Sequence, residues 1–394
     1  MKILHIAQSA GYGVTIYLES LIKGLKSKEY EQIILGSEYY NTDHFRALAD
    51  KVITVPMCRN ISPHDIQTIL RCMKIVREVR PEIVYCHSAK AGIYGRIACL
   101  GTKTKVVYNP HGWSFNMHRS KIATFVYKAI EYVFSWLTDK IIIISNFELN
   151  STPKCFPAKK LVVITNGIDV ERNLKLLSDS HLEKDKLEIP SNAYVVGSVG
   201  RISIQKGQDL FVKTAKRIKD VIPNAYFLIV GGKSDDVPIE DIIKDNDLQD
   251  SFTITGEVTD AIRYTSLFDV ALFTSRWEGF GLVLPEYMLA KKPIVAFAVD
   301  AAVDIIKDRE TGILVPPNDI DLMAKSVLML YGNKEFADKL VSNAYNEAIA
   351  KYDLKRVVNQ HMEMFNKLIL GGVICNILFA SYTTLHREER RVAA

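Results

Sequence analysis

Two glutamates separated by seven residues are the most specific candidates for chemistry in this chain. Glu278 and Glu286 lie in SRWEGFGLVLPEYMLA, directly after an apolar run. Gly279 and Gly281 allow a tight backbone turn, and Pro285 suits the first turn of a helix. Because carboxylates only accept hydrogen bonds, the two side chains suit the hydroxyls of a sugar and a ribose. The alternative is a helix-dipole partner at Glu286 and a solvated loop charge at Glu278.

Groups suited to phosphate surround this segment. The amides of Gly281, Leu282 and Val283 would point away from the positive end of the next helix. Upstream, VGSVGRISIQKGQDLF places Arg201 and Lys206 on either side of a second strand-to-helix turn. An arginine fork and a lysine charge there can neutralise a diphosphate leaving group without a metal ion. A solvated basic loop is the alternative interpretation.

The first strand-to-helix turn, SAGYGVTIYLESL, contains Gly11 and Gly13. The third glycine of a dinucleotide fingerprint would fall at Ile16, and no acidic residue closes the next strand at ribose-binding distance. The sequence therefore argues against a hydride-transfer enzyme.

Histidines follow two further apolar runs. His111, in YNPHGWSF, lies where open α/β sheets bind ligands, and its imidazole is suited to bond a sugar or to stabilise charge on it. A lone histidine is more often structural, which is the alternative for His111. In VYCHSAKAG, His87 and Ser88 lie at the end of a predicted strand. The structural alternative for Ser88 is that it caps the following helix.

The elements that position these residues follow from hydrophobic periodicity. Short Ile- and Val-rich runs alternate with longer amphipathic segments, which is typical of an α/β protein with parallel sheets of βαβ units. The predicted strands are 2–7, 31–35, 51–55, 83–86, 105–108 and 140–144, then 194–199, 225–230, 252–254, 270–273, 294–296 and 312–315.

These strands indicate two Rossmann-like domains, 1–180 and 181–351, because the pattern breaks down in a polar stretch around residue 180. We expect the two domains to face each other across a cleft at the carboxyl ends of their strands. A C-terminal helix at about 352–370 is expected to cross back to the first domain. The tail 371–394 has no predicted role.

Composition excludes several classes of protein. The 394 residues are 48% hydrophobic and 24% charged, which is ordinary globular composition, and a net charge of +5 is too mild to indicate nucleic-acid binding. The six cysteines lack zinc spacing, so we expect a reduced, cytoplasmic chain. No signal peptide or transmembrane segment is predicted. The Asp245–Asp247 stretch is interpreted as a solvated turn, so no metal or other cofactor is expected.

Taken together, these motifs resemble the GT-B retaining glycosyltransferases of family 4, over nearly the whole chain to about Ile369. Glu278 and Glu286 resemble the Glu-x7-Glu signature of that family, Arg201 and Lys206 its Gly-Arg...Lys-Gly diphosphate clamp, and His111 its His-Gly motif. The GYGVT loop departs from the commoner Gly-Gly pattern, which makes Gly13 the better candidate there.

The resemblance implies a role for each group. The catalytic residues would be His111, Arg201, Lys206 and Glu278, with Glu278 against the transferred sugar and Glu286 on the ribose. Donor-binding residues would be Gly13, Gly200, Gly256, Val258, Phe280, Gly281, Leu282, Val283 and Glu286. Acceptor-side residues would be Gly11, His87 and Lys90. The base would be held by backbone groups near Gly256–Val258; uracil is expected, with guanine as the alternative.

The implied function is transfer of a sugar, with retention, from a nucleotide-diphosphate sugar to a polyprenyl-diphosphate-linked saccharide during cell-surface polysaccharide assembly. The alternatives are another GT-B enzyme, either an inverting transferase or a nucleotide-sugar epimerase, and a sugar-nucleotide-binding protein without turnover. The expected location is cytoplasmic, with peripheral contact to an anionic membrane surface as a further possibility.

The segment 121–137 bears on that membrane contact. It has an apolar face that is predicted to bury against its own sheet, made of Ile122, Phe125, Val126, Ala129, Ile130, Val133, Phe134 and Leu137. The other side carries Lys128, Tyr132, Trp136 and Lys140. That stripe suits either a membrane interface or ordinary packing, and packing is the favoured interpretation.

Overall fold

A computed structural model describes residues 1–8, 12–26, 29–39, 43–58, 62–116, 120–180, 182–234 and 236–371. Gly11 and the tail 372–394 lie outside these described residues. The chain divides into two compact units. The first comprises Met1–Ile143, Pro153–Ile164 and the chain from Val357 onward, and the second comprises Ile144–Thr152 and Thr165–Arg356.

The first unit is built on a seven-stranded parallel sheet with strand order β3-β2-β1-β4-β5-β6-β7. Its central strands are buried along most of their length, as expected for a sheet covered by helices on both faces. The strands are β1 (Lys2–Ala7), β2 (Glu31–Ser37), β3 (Lys51–Val55), β4 (Ile83–His87), β5 (Lys105–Asn109), β6 (Lys140–Ile143) and β7 (Leu161–Val163). The helices are α1 (Tyr12–Lys26), α2 (Asp43–Arg46), α3 (His64–Val79), α4 (Ala89–Ala98) and α5 (Lys121–Ser135).

The second unit has a six-stranded parallel sheet with strand order β10-β9-β8-β11-β12-β13. Its strands are β8 (Tyr194–Val199), β9 (Ala225–Val230), β10 (Phe252–Ile254), β11 (Val270–Phe273), β12 (Ile294–Phe297) and β13 (Ile313–Val315). Its helices are α6 (Asn146–Ser151), α7 (Val170–Ser178), α8 (Gln208–Lys219), α9 (Ile239–Asp245), α10 (Val283–Leu289), α11 (Ala302–Ile305), α12 (Ile320–Gly332) and α13 (Lys334–Lys351).

The predicted α/β class with two Rossmann-like domains is confirmed, and each predicted strand corresponds to an observed one within two residues at either end. The prediction missed β7, which has only three residues and lies at the edge of its sheet.

The long continuous part of the second unit begins at Thr165, earlier than the boundary near residue 180 that the sequence suggests. The reason is α7, which lies inside the second unit. Ile168 and Val170 are buried against Leu289 of α10 in one apolar cluster. The polar stretch that follows α7 is therefore a connection within the second unit.

A final helix at 354–371 packs on the first unit from Val357 onward. His361 bonds to Tyr17 and Tyr85, and Phe365 packs edge-on against Tyr30. These contacts confirm the predicted return of a C-terminal helix to the first domain.

The prediction for α5 is wrong, because its apolar face is turned to solvent. Ile122 is 78% exposed, Phe125 73% and Val133 59%. The buried positions of the helix are the polar residues Glu131 and Ser135.

A buried ion pair explains this orientation of α5. Arg96 of α4 bonds to Glu131 at 3.1 Å, with side chains 0% and 3% exposed, and Tyr108 of β5 donates to Glu131 at 2.8 Å. The Arg96 guanidinium also stacks 4.1 Å from the centroid of the Tyr108 ring. Leaving either charge buried without its partner would cost several kcal/mol, so the pair fixes which side of α5 faces the sheet.

Candidate active site

In the second unit, the strand order reverses on either side of β8, which pairs with both β9 and β11. Loops after the two strands at such a reversal surround the ligand-binding crevice of an open α/β sheet. Arg201 and Lys206 follow β8, and Glu278 and Glu286 follow β11. The fold thus brings the two predicted motifs of this unit to one edge of one sheet.

The loops after β8 and β11 are tied to each other by a close backbone approach. Gly207, the residue before α8, has φ of 68°, and a Cβ there would lie 2.1 Å from the Thr274 carbonyl oxygen. The Thr274 hydroxyl donates to the Lys206 carbonyl at 3.0 Å, and the Arg276 amide donates to the Gln205 carbonyl at 2.8 Å. Only glycine fits at position 207, for both space and backbone conformation.

A two-pronged ion pair reinforces the same junction. Arg276 donates to both carboxylate oxygens of Asp209, in the first turn of α8, at 2.8 and 2.7 Å. Both side chains are mostly buried, and Arg276 lowers the pKa of Asp209 against the opposing effect of burial. The sequence reasoning missed this pair. Its only local sign is an acidic residue in the first turn of α8.

Lys206 and Glu278 are in direct contact. Lys206 Nζ donates to Glu278 Oε2 at 2.7 Å, and the Ser275 hydroxyl bonds to the same oxygen at 3.2 Å. The Glu278 amide donates to Asp300 Oδ2 at 2.7 Å, which holds the loop at its base. The cation predicted for the diphosphate and the carboxylate predicted for the sugar are therefore adjacent, at a partly accessible position.

Arg201 is the uncommitted cation of this edge. It is exposed, and its guanidinium has no hydrogen-bond or ion-pair partner among the described residues. Gly200 before it has φ of 152° and closely approaches Gly231, whose Cβ would lie 2.2 Å from the Gly200 carbonyl oxygen. The backbone after β8 thus has a fixed course while the Arg201 side chain is left free to meet an anion.

Glu286 lies in the first turn of α10 and is only partly accessible. Desolvation raises the pKa of its carboxyl to about 7, against the lowering effects of Arg172 and Lys206. Arg172 also pairs with Asp260. The sequence reasoning missed Arg172, which reaches this site from α7, more than a hundred residues upstream.

The remaining predicted donor-binding positions are mainly backbone features. Gly256 bridges to Gly231 next to β10, with φ of 73° and open space where a Cβ would be, and Val258 follows two residues later. Gly281 has φ of 85° and lies against Glu278. The Phe280 ring is buried, with its centroid 5.9 Å from that of Tyr352, so any donor contact by residue 280 must use its backbone.

The positions of Leu282 and Val283 at the start of α10 match the predicted turn. Leu282 is the residue before the helix and Val283 its first residue. Their amide roles toward a ligand remain predictions.

In the first unit, three histidines from adjacent strands form a row. His5 lies in β1, His87 at the end of β4, and His111 two residues after β5. His5 Nδ1 is 3.2 Å from His87 Nε2, and His87 Nδ1 is 3.1 Å from His111 Nε2. Burial lowers the pKa of His5 and of His111 to about 3 and that of His87 well below its usual value.

His87 is thus a partner of His111. Its side chain is 0% exposed, and both ring nitrogens already bond to other histidines, so no nitrogen is left for an acceptor molecule. The sequence reasoning did not single out His5, because a histidine within a buried strand gives no local signal of its partners.

Two tyrosines and a fourth histidine cover this row. The Tyr17 hydroxyl lies 2.9 Å from that of Tyr85, and both reach His361 Nε2, at 2.8 and 3.1 Å. His361 Nδ1 lies 2.8 Å from the Val357 carbonyl and must donate to it, so Nε2 is an acceptor. The Tyr17 ring stands edge-on to His111 at 4.8 Å.

Backbone strain is concentrated at the same strand ends. Ser88 has φ of 76° and His111 φ of 53°, and positive φ values of this size are costly for residues other than glycine. The Asn109 side chain supports the second of these by accepting from the His111 amide at 2.8 Å. Ser88 precedes α4, but its hydroxyl makes no capping bond, so the predicted cap is wrong. Strain of this kind is characteristic of functional sites.

Two other predicted residues of the first unit have clear surroundings. Gly13, in the first turn of α1, is exposed and has open space where a Cβ would be. Lys90 bonds to the Cys58 carbonyl at 2.7 Å and to Asp65 at 2.9 Å, so it ties α4 to the first turn of α3 and to the chain before it. Their contacts with substrates remain predictions.

Sequence comparisons agree with this geometry. The family described as "Glycosyltransferase Family 4" matches residues 12–172, and "Glycosyl transferases group 1" matches residues 179–347. The *Escherichia coli* UDP-Gal:alpha-D-GlcNAc-diphosphoundecaprenol alpha-1,3-galactosyltransferase is 26% identical over 80% of this chain and 83% of its own length. The capsular polysaccharide biosynthesis glycosyltransferase CapM of *Staphylococcus aureus* is 24% identical over 80% and 84%.

Structural comparison gives the same fold. *Anabaena* HepE in complex with UDP and glucose superimposes with a TM-score of 0.80 and 20% identity, covering 93% of this chain and 100% of that one. The class is therefore that of two-domain GT-B proteins. The chain carries the family 4 domain followed by the group 1 domain, and it is a glycosyltransferase.

Within the described ranges, no three His, Cys, Asp or Glu side chains come together as a metal-binding group. No helix in that part of the chain is long and apolar enough to cross a bilayer.

Proposed function

We propose that this glycosyltransferase transfers a sugar, with retention, from a UDP-sugar to a hydroxyl of a polyprenyl-diphosphate-linked saccharide in cell-surface polysaccharide synthesis. The observation that carries the proposal is the contact of Lys206 with Glu278 beside the exposed Arg201, at the strand-order reversal of the second unit. The names of the *E. coli* relative and of the *Anabaena* complex support the choice of acceptor and of uracil as the base.

The residues of this edge divide the work. Arg201 and Lys206 take up the charge of the departing diphosphate, so no metal ion is needed for that purpose. Glu278, held by Lys206, Ser275 and Asp300, accepts hydrogen bonds from the sugar. The diphosphate oxygen accepts the proton of the attacking hydroxyl on the face that it leaves, which gives retention without an enzymic nucleophile.

The test is release of UDP from a panel of UDP-sugars, with and without a chelator and with an undecaprenyl-diphosphate-linked saccharide present. Proton NMR of the product's anomeric centre reports retention or inversion. Lys206→Ala should lower kcat at least a hundredfold, because one preorganised charge in a transition state contributes about 3 kcal/mol. Lys244→Ala, at an exposed position of α9, is the matched control. Near-normal turnover by Lys206→Ala would overturn the assignment, and donor binding without UDP release would favour a binding protein.

We further propose that the outward face of α5 rests on an anionic membrane surface, where a lipid-linked acceptor resides. This face consists of Ile122, Phe125, Val126, Ile130, Val133 and Trp136. Lysines border its C-terminal end: Lys160 bonds to the Trp136 carbonyl at 3.1 Å, and Lys140 bonds to the Lys159 carbonyl at 2.8 Å. Apolar side chains flanked by lysines match the acyl boundary and headgroups of such a membrane.

Cosedimentation with phosphatidylglycerol vesicles tests this part of the proposal. The wild type should bind them at low salt and bind phosphatidylcholine vesicles more weakly, and Phe125→Ser with Trp136→Ser should release it. Val221→Ser, at an exposed apolar position of the second unit, is the control and should bind as the wild type does. Absence of binding, or dimerisation in solution that the same double variant abolishes, would contradict a membrane role.

A further inference from the structure

The turn that carries Arg201 follows β8, which ends at Val199, and leads into α8, which begins at Gln208. Two backbone groups of this turn, the Gly200 carbonyl and the Ser203 amide, belong to residues three apart, and a direct bond between such groups is typical of a β-turn. Here both groups bond to a side chain. Gln208 Nε2 donates to the Gly200 carbonyl at 3.4 Å, and Gln208 Oε1 accepts from the Ser203 amide at 3.3 Å.

The backbone determines which way the Gln208 amide is oriented. The Gly200 carbonyl can only accept a hydrogen bond and the Ser203 amide can only donate one. The reverse orientation of the side chain would place two acceptors against each other and two donors against each other. Gln208 is 0% exposed, and a buried amide of this kind needs its hydrogen-bond partners. The side chain therefore has one orientation, in which it holds both backbone groups.

Further bonds anchor the turn around this amide. Ile202 is buried, and its amide donates to the Gly232 carbonyl at 2.8 Å, beyond the end of β9. The Ser203 hydroxyl donates to the Arg201 carbonyl at 3.4 Å, and the Ser203 carbonyl accepts from the Lys206 amide at 3.1 Å. The backbone is thus held on both sides of Arg201, whereas the side chain of Arg201 is exposed.

We infer that Gln208 is a positioning residue for Arg201, because its side chain holds the turn from the inside and so fixes where the guanidinium meets the donor diphosphate. Gln208 is buried, and both of its polar atoms are bonded within the turn, so it acts through Arg201 and not by touching the ligand. This role rests on the proposed function, in which Arg201 takes up the charge of the diphosphate. A charge held in place before the reaction stabilises that charge best, and a displacement of about 1 Å can lower a rate by about a hundredfold.

A double-mutant cycle separates this role from a general disturbance of the loop. Gln208→Met keeps the size of the side chain and removes both bonds, because a thioether has no N–H and accepts only weakly. Isothermal titration calorimetry of the full chain with UDP should show an affinity about tenfold lower in Gln208→Met than in the wild type. In the Arg201→Ala background the same change should lower the affinity by less than about twofold, because the guanidinium that it displaces is already absent.

Turnover and a matched control complete the cycle. The kcat for UDP release from the UDP-sugar should fall about tenfold in Gln208→Met, again only when Arg201 is present. Gln249→Met is the same substitution at an exposed position of the second unit, and it should change neither the affinity for UDP nor kcat. Hydrogen exchange of the wild type needs no variant: the Ser203 amide should exchange slowly, as a buried and bonded amide does.

Each outcome bears on either Gln208 or the proposed function. Equal losses with and without Arg201, or wild-type affinity in Gln208→Met, would overturn the role of Gln208 and leave the proposed function intact. Rapid exchange of the Ser203 amide would overturn that role even if Gln208→Met does not fold. A wild type that binds UDP but transfers no sugar would refute the proposed transfer, while the cycle measured by UDP binding would still decide the role of Gln208. A wild type without affinity for UDP would refute both.

Discussion

Glu286→Gln should make the protein more stable and weaken its binding of UDP, with both effects growing as the pH rises. The folded-state pKa of Glu286 is raised to about 7 by desolvation, from an ordinary value of 4.5. A raised carboxyl pKa gives full stability below the unfolded-state value, and stability is lost as the pH rises through the folded-state value. Compared with a neutral side chain, Glu286 therefore destabilises the folded state by about 1 kcal/mol at pH 5 and about 3 kcal/mol at pH 8.

Glutamine removes that cost because it is neutral and similar in shape. Urea unfolding should show Glu286→Gln more stable than the wild type by about 1 kcal/mol at pH 5 and about 3 kcal/mol at pH 8, as upper values for a partly accessible group. Binding should change in the opposite sense. The ionised fraction of Glu286 rises roughly tenfold between pH 6 and pH 8. Over that range the affinity of the wild type for UDP should therefore rise by up to about tenfold more than the affinity of Glu286→Gln.

Isothermal titration calorimetry with UDP measures the binding, and the variant serves as the control for ionisation of the nucleotide phosphate itself. The reasoning is refuted if the stability difference between Glu286→Gln and wild type is the same at pH 5 and pH 8. If the stability difference grows as expected but the two proteins bind UDP with the same pH dependence, only the proposed contact of Glu286 with the ribose is refuted.

Three further predictions concern packing and burial. Glu131→Leu should lower the free energy of unfolding, measured in urea, by about 3–5 kcal/mol, because Arg96 would be left buried without its partner. The double variant Glu131→Leu with Arg96→Leu should recover much of that loss, and equal instability of the single and double variants would contradict the prediction. Gly207→Ala should lower the melting temperature and the transfer rate, because the added Cβ meets a carbonyl oxygen, whereas Gly13→Ala should leave stability unchanged or raise it by about 0.5–1 kcal/mol. A lower melting temperature for Gly13→Ala than for Gly207→Ala would be inconsistent with the backbone described. The buried histidines have lowered pKa values, so stability should be complete above pH 6.5 and fall with the pH below it, by up to about 1.4 kcal/mol per pH unit for each ring; thermal melting that is flat from pH 7 to pH 5 would exclude this.

The strands could be predicted because each is a local property of the chain. A buried parallel strand such as β9, AYFLIV, is apolar along its whole length, and its ends are marked by turn residues. The motifs around Arg201, Lys206, Glu278 and Glu286 were recognised for the same reason, since type and spacing are read within a few residues. What the spacing could not give is the contact of Lys206 with Glu278, which lie 72 residues apart.

The orientation of α5 is the clearest failure of local reasoning. Periodicity identifies an apolar face but does not say whether that face meets the sheet or the solvent. Glu131 looks like a surface residue until Arg96, 35 residues earlier, is brought beneath it with a matching charge. Turning the apolar face of α5 to the sheet would take Glu131 away and leave Arg96 buried without its partner, at a cost of several kcal/mol.

The sequence by itself therefore determined two parallel α/β domains, their strands, and the residue types at the strand ends where ligands bind. Tertiary structure alone decided the partners: His5, His87 and His111 come from three different strands or strand ends, with 82 residues between His5 and His87. The physical reason is that strand formation depends on neighbours in the chain, whereas hydrogen bonds, ion pairs and desolvation depend on neighbours in space, which only the folded sheets bring together.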